Sequence, residues 1–186
     1  MENVNNTMRK HSDDEYDENN NLPPMNTWLL DPTYSSFRKL LIVVIKNNIV
    51  KVNHTDVFLF YLCNRPISKV EIMGRVISIQ IRLKKITYYI DDGTGIMRCT
   101  KFLNINATDT TNQVINTING ANSFEVGDLV SVRGTIVLSE TNGDLYGYNI
   151  HISWIELIMD DNVETYHWMC CVDLYKNEYS LPLSYG

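Results

Sequence analysis

Residues 88–99 read YYIDDGTGIMRC, and the interpretation of this stretch decides what kind of protein the chain is. Asp91 and Asp92 follow two tyrosines and an isoleucine, and the triplet Gly93-Thr94-Gly95 comes next. The aspartates are candidates for a metal or acid–base site, the glycines for a phosphate-binding loop, and the whole stretch for the turn of a β-hairpin. A catalytic or phosphate-binding site would indicate an enzyme, whereas a hairpin would indicate a binding module.

The surrounding residues favour the hairpin. Acid–base or metal chemistry needs further carboxylates, histidines or a nucleophile that converge on the aspartates. The histidines form no i, i+4 pair and none is near this stretch; they are His11, His54, His151 and His167. A GxG between two strands, with no helix after it, lacks the rest of a nucleotide-binding pattern. Because Asp and Gly are the ordinary turn residues between strands, we predict a hairpin, and we expect no catalytic residues, no metal and no cofactor.

The charge of the chain is concentrated in its first residues. The formal net charge is −6 over 186 residues. Residues 1–22 contain six acidic residues against Arg9 and Lys10, which gives −4, and the remaining 16 acidic and 14 basic residues give −2. The body of the protein is therefore close to neutral, and its charge does not exclude an anionic partner. Its hydrophobic content of 44%, with eleven tyrosines and three tryptophans, is enough for a packed core.

The cysteines and the apolar runs indicate a reducing compartment. No CxxC spacing occurs among the four cysteines, so neither a disulfide framework nor a zinc site is predicted at Cys63, Cys99, Cys170 and Cys171. The first residues show no secretory signal pattern, and no apolar run reaches the roughly 18 residues of a membrane span. We therefore expect the cytosol or the nucleus, and no membrane partner.

The chain divides into four predicted segments. They are a disordered acidic tail (residues 1–24), an N-terminal helical extension (25–55), a β-barrel domain (56–158), and a C-terminal helix with its tail (159–186). In the second segment, apolar residues at helical spacing predict one helix over about 33–46. Asp31 is its expected cap, and Pro32 suits its first turn.

The third segment has the element order of a five-stranded OB barrel. VEIMGRVISIQIRL (70–83) alternates and is interrupted by Gly74, which predicts a bulge or sharp bend in a long first strand. An apolar run at 57–63 is a further short strand. The other strands are predicted at 84–90, 95–103, 127–139 and 144–158. A weak helical pattern lies at 106–123. We predict a mainly β fold, a five-stranded OB-fold barrel with an N-terminal helix, a helix between strands 3 and 4, and a C-terminal helix.

Basic and aromatic residues are interleaved on the predicted strands. Between residues 65 and 101 there are eight basic residues against three acidic ones, a local excess of five. In OB barrels this part of the sheet commonly binds nucleic acid, with cations along the phosphates and rings stacked on the bases. Alternatively, the basic residues are the solvated side of half-buried strands and the rings are core, although adjacent Tyr88 and Tyr89 cannot both be core. The pattern alone leaves nucleic acid and protein open as partners.

The C-terminal helix, predicted over 160–179, also has two interpretations. Its apolar stripe either closes the open end of the barrel or packs against a partner. Its apolar surface is larger than one seam against a small barrel usually needs, and rigid aromatic residues are favoured at interfaces. The pattern therefore favours a partner helix, through Tyr166, Trp168, Met169, Cys170 and Leu174.

Four segments, in order and spacing, resemble the N-terminal domain of the Stn-type subunit of the CST telomere-capping complex. They are WLLDPTYSSFRKLL, RPISKVEIMGRVISI, YYIDDGTGIMRCTKF and FEVGDLVSVRGTI, within residues 27–178. The middle subunit of replication protein A shares the same strand pattern more loosely. Several OB families share the DD-x-TG and GD-x-V-x-VRG pieces, whereas the leading W-x-LDP segment points to the Stn type.

The resemblance implies a non-enzymatic OB-fold subunit that acts in the nucleus, at the telomeric region of chromosomes. It implies four partners: a small Ten-type OB-fold subunit, a large multi-OB CST subunit, single-stranded telomeric DNA, and polymerase α–primase during fill-in synthesis. The Ten-type partner would lie against the helix at 160–178, especially at Tyr166, Met169, Cys170 and Leu174.

The resemblance also assigns nucleic-acid contacts. Phe102 lies where the family has an aromatic residue just after the third strand, which makes it the expected base-stacking residue. Lys101, Arg98 and Arg75 are the expected backbone contacts, and the interleaved aromatic pattern adds Tyr89 and Tyr148 as candidates. Asp91, Asp92 and Gly95 fall on the family's hairpin turn, and Gly127, Asp128, Arg133 and Gly134 fall on the turn and strand after the middle helix.

Two features depart from the family pattern, and two alternatives stay open. Family members usually continue into C-terminal winged-helix domains, to which polymerase contacts are attributed, and residues 1–186 contain no segment for which such a domain is predicted. The fourth strand, TIVLS (135–139), has no basic or aromatic residue, which predicts a weak intrinsic DNA affinity. One alternative is a replication-protein-A-like middle subunit in general replication and repair, which would lack the W-x-LDP segment. The other is a purely protein-binding OB adaptor.

Overall fold

The structure is a computed structural model that describes residues 34–54, 57–63, 65–82, 84–105, 111–121, 123–139 and 147–181. The predicted tail at 1–24, the W-x-LDP segment and the turn expected around Gly143 lie outside the described residues. In chain order the elements are β1 (Arg38–Lys39), α1 (Ile42–Asn48), β2 (Ile49–His54), β3 (Val57–Leu62), β4 (Arg65–Ile67), β5 (Lys69–Arg82), β6 (Lys85–Asp91), β7 (Ile96–Phe102), α2 (Thr111–Ala121), β8 (Leu129–Ser139), β9 (Gly147–Leu157) and α3 (Asn162–Leu174). A π-helical turn, Tyr175–Tyr179, continues α3.

Five strands close into a barrel in the order β5-β6-β7-β9-β8, and β8 pairs back onto β5. All neighbours are antiparallel except β7 and β9, which are parallel. The OB fold predicted from the element order is thereby confirmed. The alternating apolar residues of these strands point inward and form one core, among them Val70, Ile72, Ile86, Tyr88, Ile90, Met97, Cys99, Val130, Val132, Ile136 and Ile150.

The long strand β5 serves two neighbours, and Gly74 lies where it changes between them. Residues 69–75 pair with β8, and residues 75–82 pair with β6. A Cβ on Gly74 would overlap the carbonyl oxygen of Asp91, so only glycine allows the two strands to approach this closely. A bulge follows between Val76 and Ser78, which agrees with the bulge or bend predicted for this strand.

The N-terminal helix is shorter than predicted, and its start was placed wrongly. The expected helix over 33–46 is replaced by β1 and by the seven-residue helix α1, from Ile42 to Asn48. Strand β1 pairs in parallel with Val70 and Glu71, and the Leu40 N–H donates to the Glu71 carbonyl at 3.0 Å. The buried Arg38 side chain donates to the Pro66 carbonyl at 3.1 Å. These long-range hydrogen bonds override the local helical spacing.

A second, three-stranded antiparallel sheet precedes the barrel, in the order β2-β3-β4. The apolar run at 57–63 corresponds to β3, so it lies in this sheet and outside the barrel, whose strands begin at Lys69. The Tyr148 hydroxyl of β9 donates to the Ile49 carbonyl of β2 at 2.9 Å and joins the sheet to the barrel. The sequence pattern did not show β2 or the three-residue strand β4.

The DDGTG segment is the β6–β7 turn, as predicted, and it also caps α1. The Asp92 Oδ1 atom accepts hydrogen bonds from the Thr94 N–H at 2.8 Å, the Thr94 hydroxyl at 2.7 Å and the Gly95 N–H at 3.1 Å. Its Oδ2 atom accepts from the Ile42 N–H, at the start of α1, at 2.7 Å. The Thr94 hydroxyl in turn accepts from the Val43 N–H at 3.1 Å. The buried Asp92 carboxylate therefore shapes the turn and anchors a helix that lies far away in sequence.

We expect Asp92→Ala to lower the free energy of unfolding by about 2–4 kcal/mol, because it removes a helix cap and leaves buried N–H groups unpaired. Asp91→Ala is the matched control. Asp91 accepts one exposed hydrogen bond, from the Gly93 N–H at 2.8 Å, and its loss should cost about 1 kcal/mol or less. Urea denaturation of the two variants measures both values. Equal losses would contradict the capping role of Asp92.

Candidate nucleic-acid and partner interfaces

One surface of the barrel, here called the outer face, carries the side chains of β6, β7 and β9 that point away from the core. Strand registers place these side chains side by side: Tyr89 opposite Arg98, Thr87 opposite Thr100, and Lys85 opposite Phe102. On the other side of β7, Asn149 lies beside Arg98 and His151 beside Thr100. Residues between them point inward, because side chains alternate along a strand. By this register the outer face includes Lys85, Thr87, Tyr89, Arg98, Thr100, Phe102, Asn149 and His151, and the pair Asp91 and Ile96 continues it at the β6–β7 turn.

Phe102 is the most exposed ring on the outer face. Its side chain is 59% exposed, although an aromatic ring of this size is ordinarily buried. The ring of His151 lies against it, with centroids 4.9 Å apart and planes at 88°. The perpendicular contact orients Phe102 and leaves more than half of its surface open to a flat ligand.

The electrostatic environment of His151 shows that this part of the outer face is positive. Burial lowers the pKa of His151, and the neighbouring charges of Arg98 and Lys85 lower it further. A cationic surface around an exposed ring can hold a phosphate close to a stacked base.

Between the rings, three buried polar side chains of the outer face are linked by hydrogen bonds. The Thr87 and Thr100 hydroxyls are 3.4 Å apart, and the Thr100 hydroxyl donates to Asn149 Oδ1 at 3.3 Å.

The structure brings only some of the predicted nucleic-acid residues together. Arg98, Tyr89 and Phe102 share the outer face. Lys101 pairs with Ile86 and therefore lies on the opposite side of β7 from Phe102.

Arg75 and Tyr148 also lie outside this set. Arg75 donates to the Gly127 carbonyl at 3.2 Å and to Asp161 at 3.0 Å. Tyr148 is half-buried, and its hydroxyl is bonded to the second sheet. Burial raises the pKa of Tyr148, as expected for a structural tyrosine. His151 and Lys85 are outer-face residues that sequence reasoning missed, although period-two alternation along β6 from Tyr89 could have identified Lys85.

The inner side of α3 packs on β1 and β5 over a charged cluster. Glu71 is buried, with its carboxylate 2.7 Å from Arg133 Nε and 3.5 Å from Lys39 Nζ. His167 of α3 is 2% exposed, and its Nδ1 atom lies 4.0 Å from Glu71. Burial lowers the pKa of His167, and this effect, with that of the nearby Lys39 cation, exceeds the opposite effect of Glu71 and Asp92. The buried imidazole is therefore neutral at pH 7.

The outer side of α3 is apolar and exposed. Tyr166 and Met169 are each 65% exposed, and Trp168 and Val172 are also exposed. Cys170 is half-buried, and Leu174 packs against the barrel core. Of the four residues predicted to face a partner, Tyr166 and Met169 point outward, whereas Leu174 points inward. The helix thus packs on β1 and β5 with one side and offers an apolar surface with the other.

An acidic cleft adjoins this apolar surface. It encloses about 490 Å³ between β5, the β6–β7 turn and the first half of α3, and its lining includes Ile77, Asp91, Glu164 and Trp168. The Trp168 ring packs beside Gly93, and a Cβ added to this glycine would lie 3.4 Å from the ring. Arg75 also lines the cleft, but Asp161 pairs with it. The carboxylates of Asp91 and Glu164 beside an indole ring suit a cationic side chain.

Comparison with known sequences gives one family and several relatives. The family described as "Telomere regulation protein Stn1" matches residues 33–181. The human CST complex subunit STN1 is 29% identical over 128 residues, which cover 61% of this chain and 34% of that protein. The zebrafish (Danio rerio) subunit is 26% identical over 163 residues, or 75% of this chain and 43% of that protein. The chain therefore spans less than half the length of these relatives.

Two solved structures share the fold. The S. pombe Stn1–Ten1 complex contains a chain with a TM-score of 0.59 and 21% identity, covering 77% of this chain and 93% of that one. A replication protein A heterotrimer bound to single-stranded DNA contains a chain with a TM-score of 0.56 and 16% identity, covering 76% and 96%. At these identities the similarity establishes the OB architecture.

The buried His167 predicts a pH-dependent stability. Its pKa lies below the ordinary 6.5 in the folded protein, so the unfolded chain binds more protons as the pH falls below that value. The stability that depends on neutral His167 is fully present above about pH 6.5, and it is lost as the pH falls toward the lowered pKa. Each tenfold difference in proton affinity between the folded and the unfolded chain corresponds to about 1.4 kcal/mol. Urea denaturation at pH 7.5 and 5.5 should show that His167→Gln loses less free energy of unfolding between these two pH values than the native chain does. Equal losses in the two proteins would contradict a lowered pKa of His167.

Proposed function

We propose a function for this chain from the family to which it belongs, that of the telomere regulation protein Stn1. The chain acts in the nucleus, at telomeres, as a non-catalytic OB-fold subunit of a CST-like capping complex. It contributes to the binding of single-stranded telomeric DNA and joins a small Ten-type OB subunit to a large multi-OB subunit. Through that complex it supports fill-in synthesis by polymerase α–primase.

The observation that carries the DNA role is the exposed Phe102 ring in a cationic setting. A base stacked on such a ring contributes about 1–3 kcal/mol, and this interaction tolerates any base. Arg98 and Lys85, on the same face, lie where they can neutralise phosphates of the stacked strand. Tyr89, which lies opposite Arg98, extends the aromatic surface along the strands. Lys101, Arg75 and Tyr148 contribute less to DNA binding, because they lie outside this set of side chains.

The observation that carries the partner role is the outer side of α3. Tyr166 and Met169 form the centre of the proposed contact with the Ten-type subunit, and Cys170 lies at its edge. Leu174 supports the helix from inside. The acidic cleft continues this surface toward the β6–β7 turn, so a cation of the partner can pair with Asp91 or Glu164. The solved S. pombe relative is itself a complex of Stn1 with Ten1.

We expect Phe102→Ala to weaken binding of single-stranded DNA by roughly 5- to 150-fold, the equivalent of one lost stacking interaction. Fluorescence anisotropy with an oligonucleotide of telomeric sequence, on the complex with its co-expressed small subunit, measures the effect. The matched control is Phe37→Ala, because Phe37 is also exposed (37%) but packs on Lys69, away from the outer face.

Salt dependence provides a second readout. Arg98→Ala should reduce the slope of log affinity against log salt concentration by about 1, the equivalent of one phosphate contact. Absence of single-strand binding by the assembled native complex would sink the DNA role and leave a protein-binding OB adaptor.

For the partner surface, Tyr166→Asp and Met169→Asp should each weaken the one-to-one complex by about thirtyfold or more, as expected for interface hot spots of about 2 kcal/mol. Glu164→Lys should weaken the complex about tenfold if the cleft receives a cation. The control is Ile115→Asp, which introduces the same charge at an exposed apolar residue of α2. Co-expression followed by titration calorimetry measures the affinities. A complex indifferent to both helix variants would refute the interface.

A further inference from the structure

We propose that His151 is a nucleic-acid contact that binds, in its protonated form, a phosphate of the strand whose base stacks on Phe102. The inference rests on the proposed DNA function and adds a contact, and with it a dependence on pH, to that same site. Nothing in the sequence pattern points to this residue, because the β9 segment around it, YNIHISW, carries no basic side chain besides the histidine itself.

The geometry assigns His151 an electrostatic role. Its ring stands at 88° to the Phe102 ring, with centroids 4.9 Å apart. A base stacked on Phe102 lies parallel to that ring and hence perpendicular to the imidazole, so the two rings cannot share one stack. His151 is therefore placed beside the stacked nucleotide, where an N–H group can donate to a phosphate oxygen.

The charges around His151 favour a phosphate as the group it binds. Arg98 faces it from β7 and Lys85 from β6, whereas its partners in the sheet register, Thr100 on β7 and Thr135 on β8, are uncharged. Among the described residues, no carboxylate contributes to its titration. For an anion attracted by these two cations, the imidazole N–H would be a third hydrogen-bond donor.

Binding of an anion at this site is coupled to proton uptake. In the free protein, burial and the two cations lower the pKa of His151 below its ordinary 6.5. A phosphate that neutralises Arg98 and Lys85 removes their repulsion and stabilises the imidazolium, so the pKa rises in the complex. Because the bound state takes up more protons than the free state, affinity must increase as the pH falls through this range.

The test measures binding of rhodamine-labelled oligo(dT) between pH 8 and 5.5, at constant salt, by the complex with the co-expressed small subunit. Thymine does not titrate in this range. We expect the native complex to gain about threefold to tenfold in affinity over this range relative to His151→Gln. At pH 8, the two proteins should bind almost equally. His151→Lys carries a fixed charge, so it should bind tightly at pH 8 with the shallow pH profile of His151→Gln.

Histidine NMR of the native complex provides an independent readout. The pKa of His151 should rise when oligo(dT) is added, an effect that a purely structural role would not produce. Parallel pH profiles for the native protein and His151→Gln, or an unchanged pKa, would overturn the proposal while leaving the DNA function intact. If the native complex fails to bind oligo(dT) at every pH, the DNA function fails, and this inference fails with it.

Discussion

The Asp92 carboxylate joins two parts of the chain on which the positions of both candidate interfaces depend. Its four hydrogen bonds fix the β6–β7 turn and cap α1. The turn sets the register that brings Arg98 opposite Tyr89 and Phe102 opposite Lys85. The start of α1 in turn positions β1, on which α3 packs. A motif of catalytic appearance is thus a structural anchor, with three donors on Oδ1 and one on Oδ2 of Asp92.

Opposite charges separate the two interfaces. The outer face gathers Lys85 and Arg98 around Phe102, whereas the cleft beside α3 presents Asp91 and Glu164. In the proposed function, the cations attract a nucleic-acid strand, and the carboxylates at the β6–β7 turn and on α3 bound the surface that the strand can occupy. The net charge of −6 hides this arrangement, because most of the excess acidity belongs to residues 1–22.

Sequence patterns predicted the barrel well, and they predicted only in part which candidate side chains share one face of a strand. Period-two alternation and turn chemistry identified all five barrel strands, and the resemblance to the Stn type is confirmed by the family match over residues 33–181. The helix expected over 33–46 was wrong at its start because β1 pairs with residues distant in sequence. Lys101 follows Arg98 and precedes Phe102 in the chain, and strict alternation would have assigned it to the opposite side of the strand. No pattern could show the Tyr148 hydroxyl bonded to β2, because that contact depends on tertiary packing.

The charged cluster beneath α3 explains why the two sides of that helix are so different. Burying Glu71 with Arg133, Lys39 and a neutral His167 costs desolvation energy, and an apolar seam of similar volume is often more stable. An apolar seam would, however, accept the helix in several rotations. In the observed orientation the His167 ring is buried with Nδ1 4.0 Å from the Glu71 carboxylate, and Tyr166 is exposed. We interpret the cluster as a device that fixes the orientation of the helix, so that the apolar side is presented to a partner rather than buried in the barrel.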